Sequence, residues 1–188
     1  MINGVINVYK EPGFTSHDVV AKLRGILEQK KIGHMGTLDP NAVGVLPVCL
    51  GKATKLCSIL SEKDKTYNAT LLLGTETNTQ DTTGEVISQA SEEELNALVE
   101  DKVFETIKSF IGDYEQIPPM FSAIKIGGEK LYNLARRGEV IERPARHCKI
   151  IDIVVTNIDL PRVEMHVTCS KGTYIRTLCH DIGQKLGV

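Results

Sequence analysis

A single carboxylate stands inside a glycine-rich stretch, and this is the first place in the sequence where chemistry could be done. Residues 33–48 read Gly-His-Met-Gly-Thr-Leu-Asp-Pro-Asn-Ala-Val-Gly-Val-Leu-Pro-Val. Glycines allow close backbone approaches, Pro40 disfavours the α region for Asp39, and the apolar residues after Gly44 predict a buried anchor. The stretch predicts one acid held on a rigid loop. From the loop alone, an Asp-Pro turn whose carboxylate bonds its own backbone is the simpler interpretation.

Elements with helical or alternating apolar periodicity surround this loop and must position it. Thr15 can cap a helix with Asp18 as its partner, and a second capping box begins at Ser91. The periodicities predict strands at 4–9, 45–50, 65–74, 85–89, 122–126, 147–159 and 162–170, and helices at 15–30, 54–61, 91–112, 129–137 and 174–186. Because the strands and helices do not alternate regularly, we predict an α+β fold with a mixed, largely antiparallel central sheet and flanking helices and loops.

Length and composition indicate a cytoplasmic globular protein. The chain has 188 residues, of which 41% are hydrophobic, so it can bury a sizeable core. No segment approaches the roughly 20 apolar residues of a membrane span. The N-terminus lacks the basic and long apolar regions of a signal peptide. We therefore expect no membrane association.

The sequence contains no pattern typical of a metal or cofactor site. The five cysteines are odd in number and form no Cys-x-x-Cys pair, which argues against a disulfide framework and a zinc site. No glycine-rich dinucleotide fingerprint, P-loop, His-Glu-x-x-His or Gly-x-Ser-x-Gly motif occurs. We expect neither a metal ion nor an organic cofactor.

Charge is distributed unevenly along the chain, although the net charge is only −2. Residues 1–75 carry nine Lys or Arg against six Asp or Glu, and residues 121–176 carry ten against six. Residues 76–115 carry two against eleven. Local basic surfaces decide whether a polyanion can bind, so nucleic acid stays open as a partner, beside the simpler interpretation of a solvated surface.

Five stretches combine glycine, proline, tyrosine and basic residues in a distinctive order. They are residues 33–47 (Gly-His-x-Gly-Thr-Leu-Asp-Pro-x-Ala-x-Gly-Val-Leu-Pro), 51–55 (Gly-Lys-Ala-Thr-Lys), 65–69 (Lys-Thr-Tyr-Asn-Ala), 116–136 (Gln-Ile-Pro-Pro-x-x-Ser-Ala-x-Lys, then Gly-x-Lys-x-Tyr-x-x-Ala-Arg) and 172–178 (Gly-Thr-Tyr-Ile-Arg-Thr-Leu). Together they closely resemble the motifs of the TruB family of tRNA pseudouridine synthases. Five motifs in the expected order make the resemblance far more specific than any single match.

The resemblance implies a pseudouridine synthase fold and the isomerisation of uridine at position 55 in the T-loop of tRNA. The N1–C1′ bond would break and the uracil would rejoin through C5, on a nucleotide flipped into the enzyme. The resemblance makes Asp39 the nucleophile or base, and attack on C1′, addition to C6 and abstraction of a sugar proton all stay open. Arg176 is expected to pair with Asp39 and to orient it.

The resemblance also implies roles in binding the RNA. Tyr67 is expected to stack on the uracil and to accept or relay a proton, and Tyr174 to line the same pocket. His34 is expected to fill the space that the flipped uridine leaves. Candidate phosphate contacts are Lys10, Lys55, Lys125, Arg136 and Arg137. Without the resemblance, Tyr67 reads as an ordinary strand tyrosine and Arg176 as a surface charge.

The resemblance also bears on domains and partners. It makes residues 1–188 a catalytic domain that is incomplete at its C-terminus, with an RNA-clamping insertion at about 116–146 and without the family's C-terminal PUA-like RNA-binding domain. The expected partner is the T-arm stem-loop of tRNA, bound by a monomer with no obligate protein partner. Two alternatives stay open: a guide-RNA-dependent relative, and a non-catalytic tRNA-binding or chaperone protein in which Asp39 is only a turn residue.

Overall fold

The chain divides into two units in a computed structural model that describes residues 1–188, except for the side chain of residue 60. The first unit comprises residues 1–63 and the second residues 64–188. Among the described residues, no helix has the length and apolar character needed to cross a membrane.

The first unit is a three-stranded antiparallel sheet covered by one helix. Its elements are β1 (Gly4–Lys10), α1 (Ser16–Ile26), β2 (Ile32–His34), β3 (Gly44–Leu50), a 3-10 turn (Gly51–Leu56) and α2 (Cys57–Leu60). The strand order is β1-β3-β2. Apolar residues of α1, including Val20, pack on Leu46 and Val48 of β3, and all three are almost fully buried. The sheet therefore anchors both ends of the segment that contains Asp39.

The second unit is built on a four-stranded antiparallel sheet. Its elements are β4 (Lys65–Leu72), β5 (Thr75–Thr77), β6 (Val86–Gln89), α3 (Glu92–Asn96), α4 (Glu100–Lys108), β7 (Gly112–Gln116), β8 (Lys125–Ile126), β9 (Glu129–Lys130), α5 (Leu131–Arg136), β10 (Arg146–Asp159), β11 (Arg162–Cys169) and α6 (Ile175–Leu186). The strand order is β4-β11-β10-β7, while β5–β6 and β8–β9 form separate hairpins. Side chains of α4 and α6 pack with this sheet in one apolar cluster, which includes Ile107, Ile153, Val167, Leu178 and Ile182.

The α+β prediction and most of the predicted elements are confirmed. Both predicted capping boxes are present, at Thr15–Asp18 and Ser91–Glu94. In β11, buried and exposed residues alternate as the sequence pattern predicts. The first helix ends at Ile26 rather than near residue 30, because Glu28 adopts a left-handed conformation with φ of 48°.

The main differences between the predicted elements and the structure lie in the second unit. The helix predicted at 91–112 is two helices, because Val99 is extended (φ −113°, ψ 130°) although the apolar spacing continues through it. Gly112–Gln116, a largely polar segment with no predicted structure of its own, is strand β7 and pairs with β10. The strand predicted at 122–126 shortens to Lys125–Ile126, because Gly127 and Gly128 have positive φ angles and turn the chain into the β8–β9 hairpin.

Candidate functional site

The loop that carries Asp39 connects β2 to β3 and is held by hydrogen bonds next to the carboxylate. The Leu38 amide donates to the hydroxyl of Ser16 at 2.9 Å. Ser16 is the first residue of α1 and is only 2% exposed. The Asp39 carbonyl accepts from the Ala42 amide at 3.0 Å, which closes a turn. The start of α1 therefore holds the peptide that precedes Asp39, and the carboxylate projects from an ordered backbone.

Lys10 fixes the other side of the loop from a fully buried position. Its ammonium donates to the carbonyls of Pro40 and Glu11, both at 3.0 Å. The Pro40 carbonyl also accepts from the Gly13 amide at 2.9 Å. Burial lowers the pKa of Lys10, and the negative charge of Asp39 partly opposes this shift. In this arrangement the ammonium serves the loop backbone and is closed to solvent, so the expected phosphate contact of Lys10 stays a prediction.

Replacing Lys10 by methionine should lower the free energy of unfolding by about 1–3 kcal/mol. Methionine fills a similar volume, but it leaves two carbonyl groups without their buried donor. Urea unfolding followed by circular dichroism measures the change as a lower midpoint at an unchanged slope. Lys52→Met, at an exposed lysine of the same unit, is the control. An equal loss of stability in both variants would contradict this role for Lys10.

His34 lies at the end of β2, five residues before Asp39. Its Nδ1 atom is 2.6 Å from the Gly36 carbonyl oxygen. Because a carbonyl oxygen only accepts hydrogen bonds, Nδ1 carries the hydrogen, and in the neutral ring Nε2 is an acceptor. The bond holds the imidazole at the base of the loop. Its role as an RNA wedge stays a prediction.

A basic surface groove of about 480 Å³ runs beside His34. The described lining residues include no aspartate or glutamate. They include five lysine, arginine or histidine side chains: His17, Arg24, Lys30, Lys31 and His34. Arg24 also donates to the Ile32 carbonyl at 3.4 Å, which bonds α1 to β2. We call this surface the basic groove. A cationic concave surface without carboxylates is suited to a phosphate backbone.

In the second unit, the guanidinium of Arg176 lies in the first turn of α6 and is only 10% exposed. Nη1 donates to the Thr79 carbonyl at 3.1 Å, and Nη2 donates to the Phe121 carbonyl at 2.7 Å. Nη1 is also 3.5 Å from Oδ2 of Asp81. The guanidinium centre lies 5.6 Å from the centre of the Tyr174 ring. Two segments distant in sequence therefore orient this cation.

Asp81 organises the loop between β5 and β6. Its Oδ1 accepts from the Thr79 hydroxyl and the Thr83 amide, each at 2.9 Å, and from the Thr83 hydroxyl. Burial raises the pKa of Asp81, but these hydrogen bonds and the charge of Arg176 together bring it below its usual value. Gly84 closes the loop, and a Cβ atom there would lie 2.3 Å from the Thr79 hydroxyl oxygen. The loop presents an ionised carboxylate and a backbone carbonyl to Arg176.

Two tyrosines with predicted site roles belong to the second unit. Tyr67 pairs with Val167 in the sheet and packs, half-buried, against the main apolar cluster. Tyr174 is the extended N-cap residue of α6. The structure thus brings Tyr174 and Arg176 together on one turn of chain. Uracil stacking by Tyr67 and the pairing of Arg176 with Asp39 stay predictions.

The remaining predicted phosphate contacts lie on the surface. All four of these side chains are exposed: Lys55, Lys125, Arg136 and Arg137. The Arg136 guanidinium lies 5.3 Å from the centre of the Tyr132 ring. Arg137 forms ion pairs with Glu129 at 2.6 Å and with Glu139 at 2.7 Å, so its charge is already matched by two carboxylates. Arg136 is therefore the better placed of the two neighbouring arginines for an RNA phosphate.

The cysteines are free thiols. Within the described part of the chain, no group of three or more His, Cys, Asp or Glu residues has a geometry that could hold a metal ion.

Several residues that hold the candidate site gave little signal in the sequence. Ser16 bonds the Leu38 peptide and Asp81 pairs with Arg176, and both partners lie more than 20 positions away. His17 and Arg24 lie on an amphipathic helix, where an exposed charge is ordinary. The run Thr79-Gln-Asp-Thr-Thr83 was the one available hint, because threonine hydroxyls around an aspartate favour a bonded loop.

Comparison with known proteins identifies the family. Residues 24–175 match the TruB family pseudouridylate synthase (N terminal domain). The chain is 54% identical over 186 residues to tRNA pseudouridine synthase B of Alkaliphilus oremlandii (strain OhILAs), covering 99% of this chain and 61% of that protein. It is 52% identical over 187 residues to tRNA pseudouridine synthase B of Clostridium tetani (strain Massachusetts / E88), covering 100% of this chain and 64% of that protein. The chain thus spans less than two thirds of the length of these relatives.

Solved structures agree with this assignment. The fold matches a chain in the crystal structure of a Cbf5-Nop10-Gar1 complex with a TM-score of 0.73 and 37% identity, over 98% of this chain and 45% of that one. It matches a chain in the structure of an H/ACA RNP bound to a substrate RNA containing 2′-deoxyuridine with a TM-score of 0.69 and 34% identity, over 98% of this chain and 43% of that one. The family match covers most of the chain and includes the Asp39 loop. The chain therefore belongs to the TruB family of pseudouridylate synthases.

Proposed function

We propose that this protein isomerises uridine to pseudouridine in tRNA, at position 55 of the T-loop, with Asp39 as the essential group. The observation that carries the proposal is the Asp39 loop itself. It has the family's motif, and its backbone is bonded on both sides of the carboxylate by Ser16 and Lys10. Covalent or general-base catalysis requires a group held in one geometry against the reacting atom. Names of relatives at 52–54% identity support tRNA as the substrate.

Each of the other residues has a chemical task in this proposal. The target base leaves the RNA stack, because its C1′ and C5 atoms cannot be reached inside a folded T-loop. Tyr67 stacks on the flipped uracil, and Tyr174 lines its pocket. Arg176 pairs with Asp39, keeps that carboxylate ionised and orients it. His34 occupies the space left in the loop.

The basic groove gives the proposal a test of RNA binding that is separate from the chemistry. Arg24→Gln and Lys31→Gln should each weaken tRNA binding and reduce the slope of log K against log salt by about one. Both residues are exposed in the groove. Filter binding between 50 and 300 mM salt measures the slope. Lys102→Gln, at an exposed lysine of α4, should leave it unchanged, and equal effects of all three substitutions would contradict binding in the groove.

Release of tritium from C5 tests the reaction directly. The protein is mixed with a T-arm stem-loop RNA that carries [5-³H]uridine at position 55 only. Stoichiometric release, together with pseudouridine at that position by chemical mapping, is the expected result. An RNA that carries the label at a different loop uridine should release none. Tight RNA binding without release would instead favour the non-catalytic tRNA-binding or chaperone function.

A guide-RNA-dependent enzyme is the second candidate, because the solved structures of similar fold include a Cbf5-Nop10-Gar1 complex and an H/ACA RNP. Identity to these chains is 34–37%, against 52–54% for the tRNA pseudouridine synthase B relatives. The higher identity favours an enzyme that acts on tRNA. We propose that it acts as a monomer, without guide or protein partner, in the cytoplasm. Activity on bare transcript by the purified protein distinguishes the two candidates.

A further inference from the structure

Gln116, the last residue of β7, is a buried polar side chain that makes two hydrogen bonds to the backbone of one residue, Tyr174, and also contacts the Tyr114 side chain. It is 2% exposed. Its Nε2 donates to the Tyr174 carbonyl at 3.0 Å, and its Oε1 accepts from the Tyr174 amide at 2.8 Å. The side-chain amide thus bonds both backbone groups of one residue, as a neighbouring strand would.

A side-chain amide suits this pair of bonds because it has both a donor and an acceptor without carrying a charge. The Tyr174 amide needs an acceptor and the Tyr174 carbonyl needs a donor, which fixes the orientation of the Gln116 amide. A carboxylate has two acceptors and no donor, and methionine has no N–H or O–H donor. A buried amide without partners is destabilising, so the side chain and the Tyr174 peptide satisfy each other.

The peptide that Gln116 holds is the start of α6. Tyr174 is the N-cap residue, its own side chain makes no capping hydrogen bond, and the Tyr174 carbonyl also accepts from the Leu178 amide at 3.0 Å. Arg176 follows two residues later. Its Nη2 donates to the Phe121 carbonyl, which lies five residues after Gln116. The segment 116–121 therefore contacts the start of α6 twice, once at the backbone and once at the guanidinium.

We infer that Gln116 is a positioning residue for the isomerisation, which acts by fixing the Tyr174 peptide and thereby the Tyr174 ring and the Arg176 guanidinium. The inference rests on the proposed function, in which both side chains serve the flipped uridine. Gln116 is too deeply buried to meet the RNA in this arrangement, so its effect passes through the backbone of α6.

Substitution by glutamate gives a pH signature that a purely structural residue would not give. Gln116→Met should slow single-turnover isomerisation by about 30-fold at every pH, with tRNA affinity within about twofold. Gln116→Glu should show a similar loss at pH 8, because an ionised carboxylate faces the Tyr174 carbonyl. Burial beside that oxygen raises the pKa of the introduced carboxyl. As the pH falls below this raised value, the neutral acid donates to the carbonyl, and the rate relative to wild type should recover at least about fivefold by pH 5.5.

Gln184→Glu is the matched control, because Gln184 is an exposed residue of α6 and undergoes the same change of charge. Its rate relative to wild type should be independent of pH. A Gln116→Glu rate that stays parallel to wild type from pH 5.5 to 8.5, or a Gln116→Met variant with the wild-type rate, would overturn the inference.

Hydrogen exchange separates this inference from the proposed function. The Tyr174 amide should exchange slowly in the wild-type protein and at least about tenfold faster in Gln116→Met. If wild type were inactive, the proposed reaction would be rejected, and the exchange rates would still decide whether Gln116 holds α6. Equal exchange in wild type and variant would overturn the inference whatever the activity.

Discussion

Replacing Asp39 by asparagine should reduce pseudouridine formation by at least about 10³-fold, equivalent to about 4 kcal/mol of transition-state stabilisation. Asparagine has nearly the same shape but lacks the negative charge and the basicity that any of the three chemical routes requires. The Asp39 carbonyl still accepts from the Ala42 amide, and Ser16 still bonds the preceding peptide, so the loop should keep its conformation. Tritium release under single-turnover conditions measures the loss.

Two controls separate chemistry from folding and binding in this experiment. The affinity of Asp39→Asn for tRNA should stay within about threefold of wild type, because the proposed phosphate contacts are made by other residues. Asp39→Glu keeps the charge but displaces the carboxylate by one methylene, and we expect an intermediate loss of about 10²-fold. An Asp39→Asn variant that keeps more than a tenth of the activity would refute the assignment of Asp39 as the essential group.

Replacing Arg176 by lysine should reduce isomerisation by about 100-fold and lower the free energy of unfolding by about 1–3 kcal/mol. The guanidinium reaches the Thr79 and Phe121 carbonyls and the Asp81 carboxylate with separate nitrogen–hydrogen groups in one plane. An ammonium keeps the charge but is a single compact donor that cannot span these positions. Single-turnover rates and urea unfolding measure the two effects.

A double-mutant cycle tests whether the Arg176 effect depends on Asp81. Arg176→Met leaves a partly buried carboxylate without its cation, so adding Asp81→Asn should restore part of the lost stability. We expect a coupling energy of about 1 kcal/mol, since Asp81 retains 28% exposure and water screens the pair. Arg162→Lys, at an exposed arginine of β11, should change neither rate nor stability. Additive effects of the two substitutions would contradict the coupling.

Elements with strong local signals could be predicted from the sequence, and elements defined by distant partners could not. Thr15 and Ser91 begin helices because their hydroxyls bond amides three residues on, which is a purely local pattern. The interruption at Val99 has no such signal, since the apolar spacing continues through it. Strand β7 is polar and is defined by its pairing with β10, a partner at least 30 residues away.

The candidate site shows the same division. Asp39, Tyr67 and Arg176 were predicted because their motifs resemble a family, and residue spacing alone would have left each one an ordinary loop, strand or helix residue. Ser16 bonds the peptide that precedes Asp39 and Gln116 bonds the Tyr174 peptide, 22 and 58 positions away. A serine or glutamine side chain can bond any peptide that folding brings near it, so no sequence pattern marks such a partner. Lys10 illustrates the same difficulty, because a lysine directly after the predicted strand 4–9 gave no sign of complete burial.

Gly84 has a consequence for reading natural variation in this protein. A Cβ atom at this position would lie within 2.3–2.9 Å of atoms of Asn78 and Thr79, so even alanine would push aside the residue whose carbonyl binds Arg176. A saturation mutagenesis screen should therefore find that Gly84 tolerates substitution as poorly as a residue that takes part in the reaction, although glycine has no side chain that could react. In this loop, the substitutions that are tolerated reflect the space around the Thr79 carbonyl that binds Arg176. An invariant glycine there should therefore not be counted among the groups that perform the chemistry.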